Sequence, residues 1–91
     1  MTTTAYSELD SCHYENCIMA SGKRAYIGAV ACPRNWKIGT QIMIESKVYT
    51  CEDRYNKDLS DRIDIFMGYG LQSYKIAVNY GKQTKNVIIL K

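Results

Sequence analysis

"CEDRYNKDLSDRIDIF", residues 51–66, holds five of the nine carboxylates of the chain, Glu52, Asp53, Asp58, Asp61 and Asp64, interleaved with Arg54 and Arg62. The run opens on the end of "KVYTCED" (47–53) and closes in "RIDIFM" (62–67). Both segments alternate with a period of two, which is the pattern of strands rather than helices. In an extended chain Ile63, Ile65 and Met67 share one face, while Arg62, Asp64 and Phe66 share the other. Asp64 therefore sits between two isoleucines that the core should pin. By the same period Asp53 is expected on the face of Cys51 and Tyr49. Reading the two segments as strands makes the fold a β fold and puts a carboxylate near the end of each.

Working outward, "TTTAYS" (2–7) is β-prone and reads as a first strand. Residues 8–24 are polar and read as an irregular loop with a short strand near Cys17–Ala20. "IGAVAC" (27–32) reads as a strand stopped by Pro33, which cannot donate to a ladder. "NWKIGT" (35–40) reads as a turn with Gly39 at positive φ. "QIMIES" (41–46) and "KVYTCED" read as two strands joined by a tight turn near Ser46. "GLQSYKIAVNYG" (70–81) has apolar residues at 71, 74, 77 and 78, a helical spacing, with Gly81 as the C-cap. "KNVIIL" (85–90) reads as a last strand. The expectation is an all-β domain with one short helix. Six or seven short strands in 91 residues favour a closed barrel, because closure removes exposed edges.

The composition narrows the function classes. A chain of 91 residues holds one domain, residues 1–91, with a small core drawn from 46% apolar residues. Its charge of +3 comes without a lysine or arginine cluster, which argues against nucleic acid as partner. The longest apolar runs, about five residues, fall well short of the ~20 that span a membrane. "MTTTAYSELD" has no basic region followed by an apolar one, so no secretory signal is expected. The chain then works where it is made, leaves by another route, or is a piece of a longer protein. Eight tyrosines against one phenylalanine and one tryptophan give aromatic surface with polar tips, suited to a polar groove or to a barrel exterior. The cysteines at 12, 17, 32 and 51 lack the paired spacing of a structural zinc site, even with His13 beside Cys12. No metal and no cofactor are expected. One or two disulfides would form in an oxidising compartment, and free thiols would persist in a reducing one.

Two carboxylates on adjacent strand ends would raise one another's pKa by like-charge repulsion, leaving one protonated and one ionised. Glycoside chemistry uses such a pair. Each of these carboxylates also has a purely structural role open to it. Asp58 and Asp61 in "YNKDLSD" suit a turn, Glu52 should point away from Asp53 and pair with a lysine, and Arg54 and Arg62 supply a structural ion-pair role for Asp53 and Asp64. Thr4, Tyr6 and Thr40 offer hydroxyl and aromatic groups to orient a sugar. Barrel packing is the alternative for all three.

"TTTAYS", "ASGKRAYIGAVACPRNWKIGTQIMI", "YTCEDR" and "DRIDIFMGYGLQSYKIAVNYGKQTKNVIIL" follow one another in the order and spacing of the three-aspartate domain. That family is similar to the catalytic domain of membrane-bound lytic transglycosylase A and to the resuscitation-promoting-factor-like stationary-phase proteins of Gram-positive bacteria. Its pattern runs from a T-A-Y opening through G-x-x-A-x-D-P, I-P-x-G-T and a strand ending E-D. It then continues to R-I-D, a helix ending in glycine, and a V-x-V strand. The resemblance covers nearly the whole chain. It implies a six-stranded double-psi β-barrel and cleavage of the peptidoglycan glycan strand, with the domain acting at the cell wall as a monomer, in a phage-encoded or secreted setting.

Carried over by position, the family's second aspartate falls on Asp53 and its third on Asp64, the residue the family uses as catalytic acid/base. Its first falls on Cys32, in "ACP" where the family has "DP". The resemblance thus places Cys32 at the rim of the groove of Asp53 and Asp64, where only a thiolate would supply charge. By strand period Cys51 is a candidate neighbour. Cys32 is then a disulfide partner, a free thiol, or a buried filler beside Pro33. The implied reaction is non-hydrolytic. Asp64 protonates the glycosidic oxygen between MurNAc and GlcNAc and then accepts the C6 hydroxyl proton, so that a 1,6-anhydro sugar forms. The alternatives are a non-catalytic glycan-binding barrel and a hydrolytic muramidase.

Overall fold

The computed structural model describes residues 1–11, 17–54 and 61–90. In chain order the elements are β1 (Thr2–Tyr6), α1 (Glu8–Ser11), β2 (Ala29–Cys32), β3 (Gln41–Ile44), β4 (Lys47–Arg54), β5 (Arg62–Phe66), α2 (Gly70–Tyr80), β6 (Gln83–Thr84) and β7 (Val87–Ile89). The seven strands form one sheet in the order β6-β1-β5-β2-β4-β3-β7, curled into a half-barrel. The fold is therefore all-β in character and barrel-like in shape. It carries a second, four-residue helix, α1, that the sequence pattern does not signal.

Two parallel pairings organise the sheet. β1 runs parallel to β5 in unbroken register from Thr2↔Arg62 to Tyr6↔Phe66. β2 runs parallel to β4, but its register shifts between Val30 and Ala31. The two pairs join where β2 meets β5 antiparallel, at Val30↔Ile65 and Ala31↔Asp64. β3 and β4 form a hairpin whose two turn residues, Glu45 and Ser46, both take positive φ, matching the twist of the strands they join. Gly39 turns at φ 94°, as its place before β3 requires.

The last two strands belong to one extended stretch. β6 pairs with β1 and β7 pairs with β3, so residues 83–89 line both margins of the sheet. Met1 and Lys85 extend the first contact, with the Lys85 N–H donating to the Met1 carbonyl at 2.9 Å. This arrangement covers edges that would otherwise be open to another chain.

Apolar side chains bury on both faces of the sheet. One face carries Val30, Cys32, Ile42, Ile44, Cys51, Ile63 and Ile65, with Trp36, Tyr49 and Tyr80 packed at the margin. The other carries Tyr6, Ala29 and Phe66 from strands and Cys17, Met19 and Ala25 from the segment before β2. There Phe66 stacks tilted on Tyr6 and edge-on to Tyr69, both at 5.2 Å between ring centres, and Arg24 covers the Tyr69 ring at 4.6 Å. β5 thus buries residues on both sides, with Ile63 and Ile65 facing one cluster and Phe66 the other.

α2 spans the stretch its apolar spacing predicts and ends at Gly81, φ 63°. The Glu8 carboxylate accepts the Gly70 N–H at 2.7 Å, so a residue from α1 satisfies a helix-terminal donor and the dipole. The buried side is narrow. Ala77 is the buried residue, and the Tyr80 hydroxyl bonds Thr3 Oγ1 at 2.7 Å. Leu71 and Val78, which carry the apolar spacing, are 61% and 58% exposed. The helix lies on β1 by its narrow small-residue side, and the wider apolar stripe faces out.

Candidate functional site

The site is built from one row of residues across four strands. Thr4 of β1 lies beside Asp64 of β5, Asp64 beside Ala31 of β2, and Ala31 beside Asp53 of β4. Directly paired residues point to the same face, so all four stand on the side opposite the isoleucine cluster. Tyr6, Phe66 and Ala29 form an apolar floor on the same face, with Thr50 paired beside Ala29.

Asp53 reaches this face through a bulge, contrary to the strand-period expectation. Val30 pairs with Cys51 and Ala31 with Asp53, so Glu52 is an extra residue on β4. A bulge re-aims the side chains that follow it. Cys51 and Tyr49 face the isoleucine cluster, and Asp53 turns to the opposite side. The expected placement on adjacent strands is also not found, because β2 runs between β4 and β5. Two strand spacings of ~4.8 Å put their Cα atoms about 10 Å apart, with only the methyl of Ala31 standing on β2 between them.

Each carboxylate is oriented by different donors. Thr4 Oγ1 donates to Asp64 Oδ1 at 2.9 Å and accepts from Arg62 Nε at 3.4 Å. Thr4 is buried, so it orients Asp64 from below. The backbone N–H groups of Ala20 and Arg54 donate to Asp53 Oδ1, at 3.1 and 2.9 Å. Asp53 thereby ties the segment before β2 to the end of β4. Both carboxylates are half-buried.

The other predicted residues scatter. Tyr6 is buried against Phe66 and serves packing. The Thr40 hydroxyl closes the turn by donating to the Lys37 carbonyl at 2.6 Å. Cys32 and Cys51 are each 1% exposed and bonded to one another, with Cα atoms 5.7 Å apart. Of the three states open to Cys32, the disulfide is the one adopted, and it is buried as well. No thiolate stands at the rim. Cys17 is disulfide-bonded too. Asp61 is exposed in a turn, as its neighbours suggest, while Asp58, Cys12 and His13 lie outside the described residues.

Glu52 is a buried carboxylate on β4. It pairs with Lys23 at 3.4 Å, as expected, but it is only 3% exposed. Its Oε2 also accepts the Tyr26 hydroxyl at 2.5 Å. The Tyr26 bond, aided by Ser21 and Lys23 and opposed by burial, holds the carboxyl below its ordinary value. Partial burial, and then the bond to Glu52, push the Tyr26 phenol up. Both shifts describe a phenol donating to an ionised carboxylate. Alternation puts Glu52 on the side away from Cys51, but its burial comes from residues 21–26, distant in the sequence, so no local signal places it inside.

Among the described residues, no group of histidine, cysteine, aspartate and glutamate is arranged to hold a metal ion, and no helix is long and apolar enough to cross a membrane. Comparison with protein-family models, curated proteins and solved structures gives no match to this chain.

Proposed function

We propose that this domain cleaves the glycan strand of peptidoglycan, with Asp64 as the acid/base and Asp53 as a supporting carboxylate. The observation that carries the reading is the row Thr4–Asp64–Ala31–Asp53. Two half-buried carboxylates share one face and are separated by a single methyl group, and each is fixed by hydrogen bonds. Strands once removed leave room for a sugar ring between the acids, where charge develops in an oxocarbenium-like transition state. Asp64 protonates the bridging oxygen between MurNAc and GlcNAc. The same group, now ionised, accepts the C6 hydroxyl proton as that oxygen attacks the anomeric carbon, giving a 1,6-anhydro end. The resemblance to the three-aspartate domain supports the same two residues. It also supports reading residues 83–89 as a single sixth strand, which makes the fold a six-stranded double-psi β-barrel.

A second reading is a barrel that binds wall glycan without cutting it. The burial of Cys32 in a disulfide favours it, since the position where the family carries a third carboxylate holds no ionisable group. Incubation of purified peptidoglycan with the protein separates the two. Soluble muropeptides lighter by one water than their hydrolytic counterparts are the expected product. Hydrolytic masses make the domain a muramidase. Pelleting with intact glycan, without release, leaves the binding reading.

A further inference from the structure

We propose that Arg62 is a positioning residue for Asp64, acting through the Thr4 hydroxyl, and that it fixes which oxygen of Asp64 carries the transferable proton. Arg62 and Asp64 are two apart on β5, so their side chains leave the same face of the strand. The unbroken ladder sets Thr4 directly beside Asp64 and Thr2 beside Arg62. Arg62 therefore lies diagonally across from Thr4, within reach of a long side chain. Its Nε–H donates to Thr4 Oγ1 at 3.4 Å, and Thr4 Oγ1 donates to Asp64 Oδ1 at 2.9 Å. Thr4 is buried and Arg62 half-buried, so the junction of the three groups is largely shielded from water.

The chemistry of the donors gives this chain of bonds its direction. A guanidinium N–H only donates, and a hydroxyl has a single hydrogen. The Thr4 hydrogen finds no acceptor on the guanidinium and is left for Asp64 Oδ1. When the carboxyl is protonated, the oxygen that accepts such a bond is the one that stays bare. Oδ1 is thus held as the carbonyl oxygen, and the proton belongs to Oδ2. In the proposed cleavage, on which the catalytic part of this inference rests, Oδ2 gives that proton to the glycosidic oxygen as its bond to the anomeric carbon breaks. It then takes the C6 hydroxyl proton as the C6 oxygen bonds to the same carbon. Charge alone would not select an oxygen. Among the described residues, the charged groups facing Asp64 are Arg62 on its own strand and, across β2, Asp53 and the Glu52 held by Tyr26 and Lys23. The flanking strands β1 and β2 place the uncharged Thr4 and Ala31 beside it.

The test is the titration midpoint of the Asp64 carboxyl, followed by heteronuclear NMR in the wild type, Arg62→Lys, Thr4→Val and the double variant. Lysine keeps the positive charge and lacks the Nε–H. Arg62→Lys should raise the midpoint by about half a unit to one unit, the size of one weakened hydrogen bond, and should add little to the rise in Thr4→Val. A midpoint that Arg62→Lys leaves in place overturns the inference, because charge or packing is then the whole role. An equal rise with and without the Thr4 hydroxyl overturns it as well. Should Arg62→Lys not fold, the wild type and Thr4→Val decide. The Arg62 Nε–H resonance should move with the Asp64 titration in the first and stop following it in the second. A resonance that follows Asp64 in both, or in neither, overturns the proposal. If the wild type releases muropeptides, Arg62→Lys should lower release roughly two- to tenfold and extend the surviving activity to higher pH, as Thr4→Val does. The two changes together should cost little more than Thr4→Val alone, and losses that multiply count against the inference. A wild type that releases nothing overturns the proposed function and leaves the titration to decide the arrangement.

Discussion

The two parallel strand pairs of this sheet make an instructive contrast. β1 on β5 is an unbroken ladder of five residue pairs, and β2 on β4 breaks after two. Each pair delivers one carboxylate to the same face. On the regular ladder, Asp64 lies where alternation puts it, and its neighbour Thr4 supplies the hydroxyl that orients it. On the broken ladder, Asp53 lies on the opposite face from the one alternation gives, and backbone amides orient it. Regular pairing makes a side-chain position a property of the strand's own sequence. A bulge makes it a property of the partner strand and of whatever holds the two together.

The largest expected effect is on the regular ladder. Asp64→Asn keeps the shape and a hydrogen bond to Thr4 but cannot transfer a proton, so muropeptide release should fall about 10²–10⁴-fold. Circular dichroism and thermal melting should match the wild type. Activity within a factor of ten in a folded variant would remove Asp64 from the mechanism.

Thr4→Val comes next, because it deletes a donor to Asp64 while keeping a β-branched residue in β1. A hydrogen bond to a charged group contributes about 1.5–3 kcal/mol, so release should fall roughly tenfold or somewhat more. The donor favours the ionised carboxylate, and without it the surviving activity should reach to higher pH. A pH–rate profile identical to that of the wild type would show that the Thr4 hydroxyl is only a packing group.

On the broken ladder Asp53→Asn should cost less than either change, roughly three- to tenfold, because β2 intervenes and charge repulsion falls with distance. Its removal lets Asp64 lose a proton more readily, so the optimum should move to lower pH, opposite in direction to Thr4→Val. An optimum that stays in place would mean that the two carboxylates act independently.

The smallest effect concerns the bulge itself. The Glu52 carboxyl lies below its ordinary value of 4.5, so its ionised form stabilises the fold above that pH. The contribution is lost as pH falls through the lower folded-state value. Glu52→Gln should therefore lower stability by about 1 kcal/mol at neutral pH, by weakening the bond from Tyr26 and removing the pair with Lys23. The gap from wild type should close on acidification below about pH 4.5. Chemical denaturation at a series of pH values measures this, and a gap independent of pH would show that the carboxylate charge is not what holds the bulge.

The sequence by itself carries no sign of β6, and the short strand expected near Cys17–Ala20 is only a single bridge from Ile18 to Arg24. It indicated β1 to β5 and β7, the Glu45–Ser46 turn, the extent of α2 and the face of Asp64. Each follows from a local rule: β-branched alternation, Pro33 after β2, and glycine at positions 39 and 81. These rules act within a few residues, and tertiary contacts do not contradict them. The burial of α2 was less legible, because the three exposed apolar residues of its outer stripe outweigh Ala77 in any count of hydrophobicity, although Ala77 is the side chain small enough to let the helix sit against β1. Only the tertiary structure decided that β2 runs between the two acidic strands, that an extra residue on β4 reverses Asp53, and that Cys32 closes on Cys51 where the resemblance expects a carboxylate. Those outcomes depend on which strands pair and in what register. The free energy that selects them comes from side chains far apart in the chain, and a local pattern does not record it.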